Sequence, residues 1–147
     1  MHLKLSLQDY ISIKIHQTDL SLTSLIKSKL EPFNLAPEQN LIMMLLWEKD
    51  GLTQNQLGEI LNKDKTNIAR MASNLESKGF IKRISSKNDR RSLELHLTSC
   101  GKELGKQVIP ITERFNDIVC KGISEEELLT LEKILSKISL NVQESYK

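Results

Sequence analysis

The chain has 147 residues, 39% hydrophobic and 27% charged, a composition typical of one folded domain with its own core. Because no apolar run reaches membrane-spanning length and the first residues do not resemble a secretory leader, we expect a cytoplasmic protein without a membrane partner. Cys100 and Cys120 form no CxxC pair, which excludes a disulfide framework and a structural zinc site, and the net charge of +2 is too small to identify a partner.

The first thirty residues fit two patterns. Leu3, Leu5 and Leu7 alternate like a strand, whereas the apolar residues from 7 to 30 also fit one face of a helix. We favour the helix, because the segment contains neither glycine nor proline and stops just before Pro32, whose preceding residue avoids helical backbone.

Three helices are predicted in the middle of the chain. Pro37 begins the first, in the turn where a missing N–H costs nothing. Thr53 and Gln56 form a capping box for a short second helix, and Asp64 can cap a third that ends at Gly79. A short helix, a polar turn and a second helix are typical of a helix-turn-helix, although the same spacing also fits a hairpin in any helical bundle.

Polar side chains at the start of the third helix are candidate DNA contacts. Asparagine can pair with adenine, arginine with guanine, and threonine can contact the thymine methyl group. Solvation of an exposed helix face is the alternative for each side chain. The predicted contacts, on the face opposite Ile68, Met71 and Leu75, are Lys65, Thr66, Asn67 and Arg70.

After Gly79 the apolar period changes from 3.6 to 2, which predicts a two-stranded hairpin with a polar, basic tip. Arg91 at this tip is expected to enter a DNA minor groove, with Asp89 bracing its guanidinium. A solvated charged tip is the alternative. The predicted phosphate contacts, which add affinity without reading sequence, are Lys82, Arg83, Lys87 and Arg90.

Two more helices are predicted beyond the hairpin. Thr98 can cap the first, Pro110 interrupts its apolar stripe and is expected to bend it, and Gly122 stops it. Ser124 and Glu127 form a capping box for the last helix, which has an apolar stripe on one face. The apolar stripes of residues 3–31 and 103–146 exceed what one small module can cover, which predicts a homodimer.

The charge is unevenly distributed along the chain. Residues 53–98 carry nine Lys/Arg and five Asp/Glu, whereas the segments before and after them each carry one more acidic than basic residue. A basic centre between slightly acidic flanks predicts a central module that binds a polyanion, held by arms with another task.

The motifs resemble those of the MarR family of winged helix-turn-helix transcriptional regulators. The D-R-R motif ahead of L-T-x-x-G is the most specific element of the resemblance, which extends over residues 37–104. In chain order the matching segments are L-T-Q-N-Q-L from residue 52, T-N-I-A-R from 66, N-L-E-S-K-G-F-I from 74, D-R-R from 89 and L-T-S-C-G-K from 97.

The resemblance implies a mainly α (α+β) fold: a winged helix-turn-helix with a two-stranded β-wing and an α-helical dimerisation region. The implied organisation is an N-terminal dimerisation helix in residues 1–36, a DNA-binding domain in 37–100 and C-terminal dimerisation helices in 101–147. The expected function is that of a sequence-specific regulator of transcription, a repressor that binds a palindromic operator in double-stranded DNA as a homodimer. In the family's pattern Asp89 and Arg91 match the wing pair and Arg70 a recurrent arginine of the recognition helix.

A small-molecule effector that releases the DNA is a further implication of the resemblance. The family's usual effector site lies between the dimer helices and the winged module, and the residues expected to face it here are Ile15, His16, Phe33 and Trp47. No cofactor or metal is expected, because the chain has no dense cluster of His, Cys and Glu. Common hydrolase, nucleotide-binding and metalloprotease motifs are also absent from the sequence, so we do not expect an enzyme.

Two alternatives stay open. A winged helix can also dock another protein through its apolar outer helices, although such a module has no need of a basic hairpin tip. The second alternative is a thiol-based redox regulator acting through Cys100, which would lie in a first helical turn near the positive end of the helix dipole. Residues 1–40 contain no cysteine, unlike the family's peroxide-sensing members, and burial of Cys100 in the packed interior is the default expectation.

Overall fold

The computed structural model describes residues 6–88 and 91–147, and these form a mainly helical fold with a two-stranded antiparallel sheet. This architecture confirms the predicted fold class. A short 3-10 turn at Leu7–Asp9 precedes the first helix, and another at Glu31–Phe33 follows it. The elements are α1 (Ile11–Leu30), α2 (Pro37–Glu48), α3 (Gln54–Leu61), α4 (Lys65–Ser77), β1 (Ile81–Ser85), β2 (Leu93–Leu97), α5 (Ser99–Val119) and α6 (Glu125–Glu144).

The ambiguous N-terminal segment is helical from Ile11 onward, which confirms the favoured interpretation. The helix ends at Leu30, two residues before Pro32, but the reason expected from the proline is wrong. Glu31 keeps helical backbone angles (φ −52°, ψ −44°), and Pro32 lies within the 3-10 turn that follows. Leu3 and Leu5, which suggested a strand, lie outside the described residues.

Local capping signals determine where several helices begin. The Thr53 hydroxyl accepts a hydrogen bond from the Gln56 N–H at 3.1 Å, and Gln56 Oε1 accepts one from the Thr53 N–H at 2.9 Å. The Asp64 carboxylate accepts from the N–H of Asn67 at 2.8 Å. All three predicted caps of α3, α4 and α6 are therefore confirmed, because Ser124 and Glu127 form the same reciprocal pair.

The core lies between the end of α1, α2, α3, α4, the sheet and the first half of α5. Its members come from the apolar face that the helical period predicts for each helix and from the inward side of the hairpin. The largest fully buried side chains are Leu30, Ile42, Met43, Leu46, Leu57, Ile68, Leu75, Ile81, Leu95 and Val108.

The hairpin is attached to the segment that precedes α3. In its register Ile81 pairs with Leu97 and Arg83 with Leu95. On the other side of β2, the Leu95 N–H donates to the Leu52 carbonyl at 2.9 Å, and the Gly51 N–H donates to the Leu95 carbonyl at 3.0 Å. Hydrogen bonds on both sides of β2 thus fix the hairpin relative to the helix-turn-helix.

Helix α5 continues through Pro110 to Val119, so the proline does not end the helix, and the bend expected there stays a prediction. Proline removes one backbone hydrogen bond from a helix, but burial can hold the turns around it together. Here Leu104 and Val108, in the two turns before the proline, are buried in the core. Their burial holds this part of the helix against the core.

The chain divides into two compact units, one that ends at Phe115 and a second that comprises Asn116–Lys147. The boundaries expected at residues 36 and 100 are different, because they separate a DNA-binding domain from dimerisation helices. They stay a prediction. None of the helices that the structure describes is long and apolar enough to span a membrane.

Candidate nucleic-acid interface

The start of α4 presents a polar face outward. Lys65, Thr66 and Arg70 are exposed, and Asn67 is half-buried. On the opposite side Ile68, Met71 and Leu75 are between 0% and 3% exposed, which anchors the helix in the core. The amphipathic arrangement that the sequence predicts for this helix is therefore present, while the individual DNA contacts stay predictions.

Two of these outward side chains are hydrogen-bonded to each other. The Arg70 guanidinium donates from Nη2 to Asn67 Oδ1 over 2.8 Å. The two residues are three positions apart in α4, a spacing that brings side chains together on one helix face. The sequence pattern predicts two separate base contacts and contains no sign of this bond.

The predicted wing residues fall into three groups. Lys82, Lys87 and Arg91 are exposed, so solvent and a polyanion can reach them. Asp89 and Arg90 lie outside the described residues. Arg83 is half-buried, because neighbouring residues of a strand point to opposite faces and Lys82 already takes the outer one.

Arg83 is held by Glu76 of α4. Its backbone N–H donates to Glu76 Oε2 at 2.9 Å, and its Nε and Nη2 donate to Oε1 at 3.2 and 3.1 Å. This two-pronged contact fixes β1 against the end of α4. Both hydrogens of Nη1 and the second hydrogen of Nη2 are not used in these bonds, so the predicted phosphate contact of Arg83 would have to use one of them.

Glu76→Gln is expected to destabilise the protein by about 0.5 to 1 kcal/mol at neutral pH, the usual value of a partly exposed ion pair. The backbone N–H and the guanidinium of Arg83 lower the pKa of Glu76 from its ordinary value of 4.5. A lowered pKa stabilises the folded state above that value, and the contribution disappears as the pH falls below it. Urea unfolding between pH 7 and pH 3 measures this contribution to the free energy of unfolding.

The parent should therefore lose more stability than the variant on acidification, so that the two unfolding curves converge. Glu113→Gln makes the same substitution at an exposed side chain and serves as the control. A constant difference between parent and Glu76→Gln at every pH would contradict the ion-pair role.

Lys78, at the end of α4, makes a second unanticipated contact. Its Nζ donates to the Asn34 carbonyl at 2.7 Å and to Gln39 Oε1 at 2.8 Å. Asn34 has a left-handed backbone with φ 54° in the connection between α1 and α2. The lysine thereby ties the end of α4 to the connection that leads from the N-terminal helix. The sequence signal was the lysine in the N-L-E-S-K-G segment, whose partner lies 44 residues away.

Two glycines allow α5 to pack closely. A Cβ at Gly101 would collide with the Phe80 carbonyl oxygen, and one at Gly105 would lie 2.8 Å from Trp47 Nε1. The Trp47 indole donates to the Gly101 carbonyl at 3.0 Å. Thr98 Oγ1 accepts from the Gly101 N–H at 3.0 Å, which confirms Thr98 as the cap. The first turn of α5 is thus fixed directly behind the wing.

The residues expected to line an effector pocket have different surroundings. His16 is exposed and Ile15 half-buried on α1, whereas Phe33 and Trp47 pack against the core. A surface cavity of about 560 Å³ lies elsewhere, and none of the four belongs to its lining. Its lining residues are Leu45, Glu48, Lys49, Leu52, Gln56, Glu59 and Ile60. The effector site stays a prediction.

Cys100 is exposed, so the expectation that it is packed in the interior is wrong. The reason is the orientation of the first turn of α5. Gly101 is buried against Phe80, and this contact turns the neighbouring positions Cys100 and Lys102 towards solvent. Exposure alone does not assign a redox function, and the thiol alternative stays a hypothesis.

Comparison with known proteins agrees with this fold. The sequence model of the MarR family matches residues 35–93. The organic hydroperoxide resistance transcriptional regulator of Bacillus subtilis is 31% identical over 110 residues, which cover 75% of this chain and 74% of that protein.

Two similar solved structures contain DNA. A putative MarR family regulator from Listeria monocytogenes complexed with 26mer DNA has a TM-score of 0.77 and 29% identity, covering 97% of this chain and 92% of that one. The S. aureus MepR–DNA complex has a TM-score of 0.83 and 25% identity, covering 93% and 99%. The winged helix-turn-helix fold, the match to the family model and the similarity to the hydroperoxide regulator all lead to one assignment. The chain belongs to the MarR family of transcriptional regulators.

Proposed function

We propose that this protein is a sequence-specific repressor that binds a palindromic operator in double-stranded DNA as a homodimer. The main observation in support is the polar start of α4, which stands outward on a helix-turn-helix next to a basic wing. A recognition helix with this arrangement enters the major groove with its N-terminal residues against the base edges. The wing then reaches the adjacent minor groove.

The proposed DNA surface keeps the predicted residues and gives each a role. In α4, Arg70 and Asn67 face the bases and Lys65 and Thr66 lie beside them. The wing makes the other contacts to the DNA. Arg83 is assigned to the anchor with Glu76, which leaves the hydrogens of Nη1 and one of Nη2 for a phosphate. The wing residues of the proposed surface are Lys82, Lys87, Asp89, Arg90 and Arg91. The solved DNA complexes of the Listeria protein and of MepR support this assignment by similarity.

The homodimer is supported by an uncovered apolar helix. All residues of α6, Glu125–Glu144, are described and none of them is buried. On one face of the helix Leu131 is 48% exposed, Ile134 47% and Leu135 41%. A helix that keeps such side chains in water is a candidate for association, and a two-fold dimer is the commonest closed assembly. A dimer also matches a palindrome, since each protomer then binds one half-site. Release by a small-molecule effector belongs to the same proposal.

The proposal is tested with a pool of fluorescent duplexes randomised over about two helical turns, about 20 base pairs. After rounds of selection, the bound duplexes should share a palindrome, and their affinity should fall steeply with salt concentration. Binding without any enriched sequence would leave only a non-specific polyanion site. A complete lack of DNA binding would favour the protein-docking alternative.

Arg91→Ala is expected to weaken binding to the selected duplex and to flatten the slope of log K against log[salt] by about one unit. The reason is that one arginine fewer displaces one counterion fewer from the DNA. Preference among major-groove base pairs should change little. Fluorescence anisotropy across a salt series measures both quantities.

Lys121→Ala is the matched control, because Lys121 is an exposed cation outside the proposed DNA surface. Its slope should equal that of the parent. An Arg91→Ala variant with parental affinity at every salt concentration would remove Arg91 from the interface.

A further inference from the structure

We propose that Asn67 is a positioning residue for Arg70, and that the two side chains form one guanine-reading unit instead of two separate base contacts. This inference rests on the proposed function as a DNA-binding regulator and assigns the specificity of the recognition helix. The observation behind it is the 2.8 Å hydrogen bond between Arg70 Nη2 and Asn67 Oδ1 in the protein without DNA.

The chemistry of the two groups determines which atom of the amide faces the arginine. A guanidinium has five N–H donors and no acceptor, so the asparagine must offer its oxygen. An asparagine that reads adenine needs the same oxygen to accept from N6 while its NH₂ donates to N7. The bond to Arg70 directs that oxygen along the helix, away from such a pairing.

The arginine, in contrast, keeps its reading capacity. The bond to Asn67 uses one hydrogen of Nη2, which leaves the second hydrogen of Nη2 and both of Nη1. Two donors from adjacent nitrogens can still meet O6 and N7 of a guanine. The hydrogen bond to the Asn67 amide therefore orients the Arg70 guanidinium and still leaves it the donors that a guanine requires.

The positions of the residues in the helix agree with this division. Asn67 is half-buried and lies in the first turn of α4, where its backbone N–H is already held by Asp64. Arg70 is exposed and extends further from the helix. A long, flexible arginine loses rotamer entropy when it docks, and a hydrogen bond made before docking reduces that loss.

A double-mutant cycle on Asn67→Ala and Arg70→Ala tests the proposal, with the randomised duplex pool and its selected duplex as probes. Arg70→Ala should reduce discrimination at one G·C pair by roughly 5-fold to 150-fold. Asn67→Ala should relax the same base pair and no adenine position. In the Arg70→Ala background it should cause no further loss, because the group it positions is gone.

Asn67→Asp separates orientation from direct reading. Aspartate keeps an acceptor for Arg70 but lacks the NH₂ that an adenine contact requires. We expect it to retain the preference for guanine while its negative charge weakens binding to all duplexes uniformly. Helix content from circular dichroism confirms that each variant is folded.

Failure of the positioning role and failure of the proposed function give different results. If the parent enriches a palindrome but the two alanine variants relax different base pairs additively, only the positioning role is overturned. If Asn67→Asp loses an adenine preference, Asn67 reads that base directly and the proposal is also overturned. If the parent enriches no sequence at all, the proposed function fails together with the inference.

Discussion

Gly101→Ala is expected to destabilise the protein by about 3 kcal/mol, at the upper end of what overpacking usually costs. The added Cβ would meet the Phe80 carbonyl oxygen, a backbone atom that cannot rotate away. The same oxygen accepts the Thr98 N–H at 3.1 Å, so a displacement of α5 would also stretch the junction with the wing. Urea unfolding followed by circular dichroism gives the free energy of unfolding.

Cys100→Ala is the control, because its side chain is exposed one residue earlier in the same helical turn. It should change stability by less than about 0.5 kcal/mol, the usual range for a surface substitution. An alanine at position 101 that left the unfolding midpoint unchanged would show that the helix can move away from Phe80. Gly105→Ala should cost less than Gly101→Ala, since the obstacle there is the Trp47 side chain.

The second large effect is expected on dimerisation through α6. Leu131→Glu combined with Leu135→Glu places two carboxylates on neighbouring turns of the exposed apolar face. If this face joins two protomers, burial of the charges would prevent association and the variant should sediment as a monomer. DNA affinity should then fall by at least about 100-fold, because the two half-sites would bind independently.

Lys133→Glu is a matched control, since it changes the net charge by the same two units on the opposite side of the helix. It should remain a dimer. Deletion of residues 124–147 should also give a monomer, which excludes an effect specific to the glutamates. A double variant that sedimented as a dimer and bound the selected duplex like the parent would assign dimerisation elsewhere.

Local signals in the sequence predicted much of the fold. Thr53, Asp64 and Ser124 start their helices through hydrogen bonds to residues three positions ahead, so a short window of sequence contains all the information. The change of apolar period after Gly79 predicted the hairpin for the same reason. The rule for the residue before proline did not hold, because Glu31 has helical backbone angles directly before Pro32.

Contacts between distant segments were not predictable in this way. Lys78 binds the Asn34 carbonyl 44 residues away, and nothing near the lysine indicates that partner. Arg83 was predicted to contact phosphate because the sequence shows its charge. The sequence does not show that its side chain lies on the side of the hairpin that faces Glu76. The exposure of Cys100 follows from the contact of Gly101 with Phe80, which periodicity alone does not reveal.

The contact between Glu76 and the backbone of Arg83 has a consequence for aggregation. β2 is paired on both sides, so β1 is the outer strand of this small sheet. Outer strands offer unpaired N–H groups to which a strand of another molecule can add. The N–H of Arg83 points outward, because Leu95 opposite it bonds to Gly51 and Leu52, and the Glu76 carboxylate occupies that donor. A carboxylate from α4 therefore occupies one of the backbone donors at the outer edge of the wing, so that a strand of another molecule has one hydrogen-bonding position fewer to pair with.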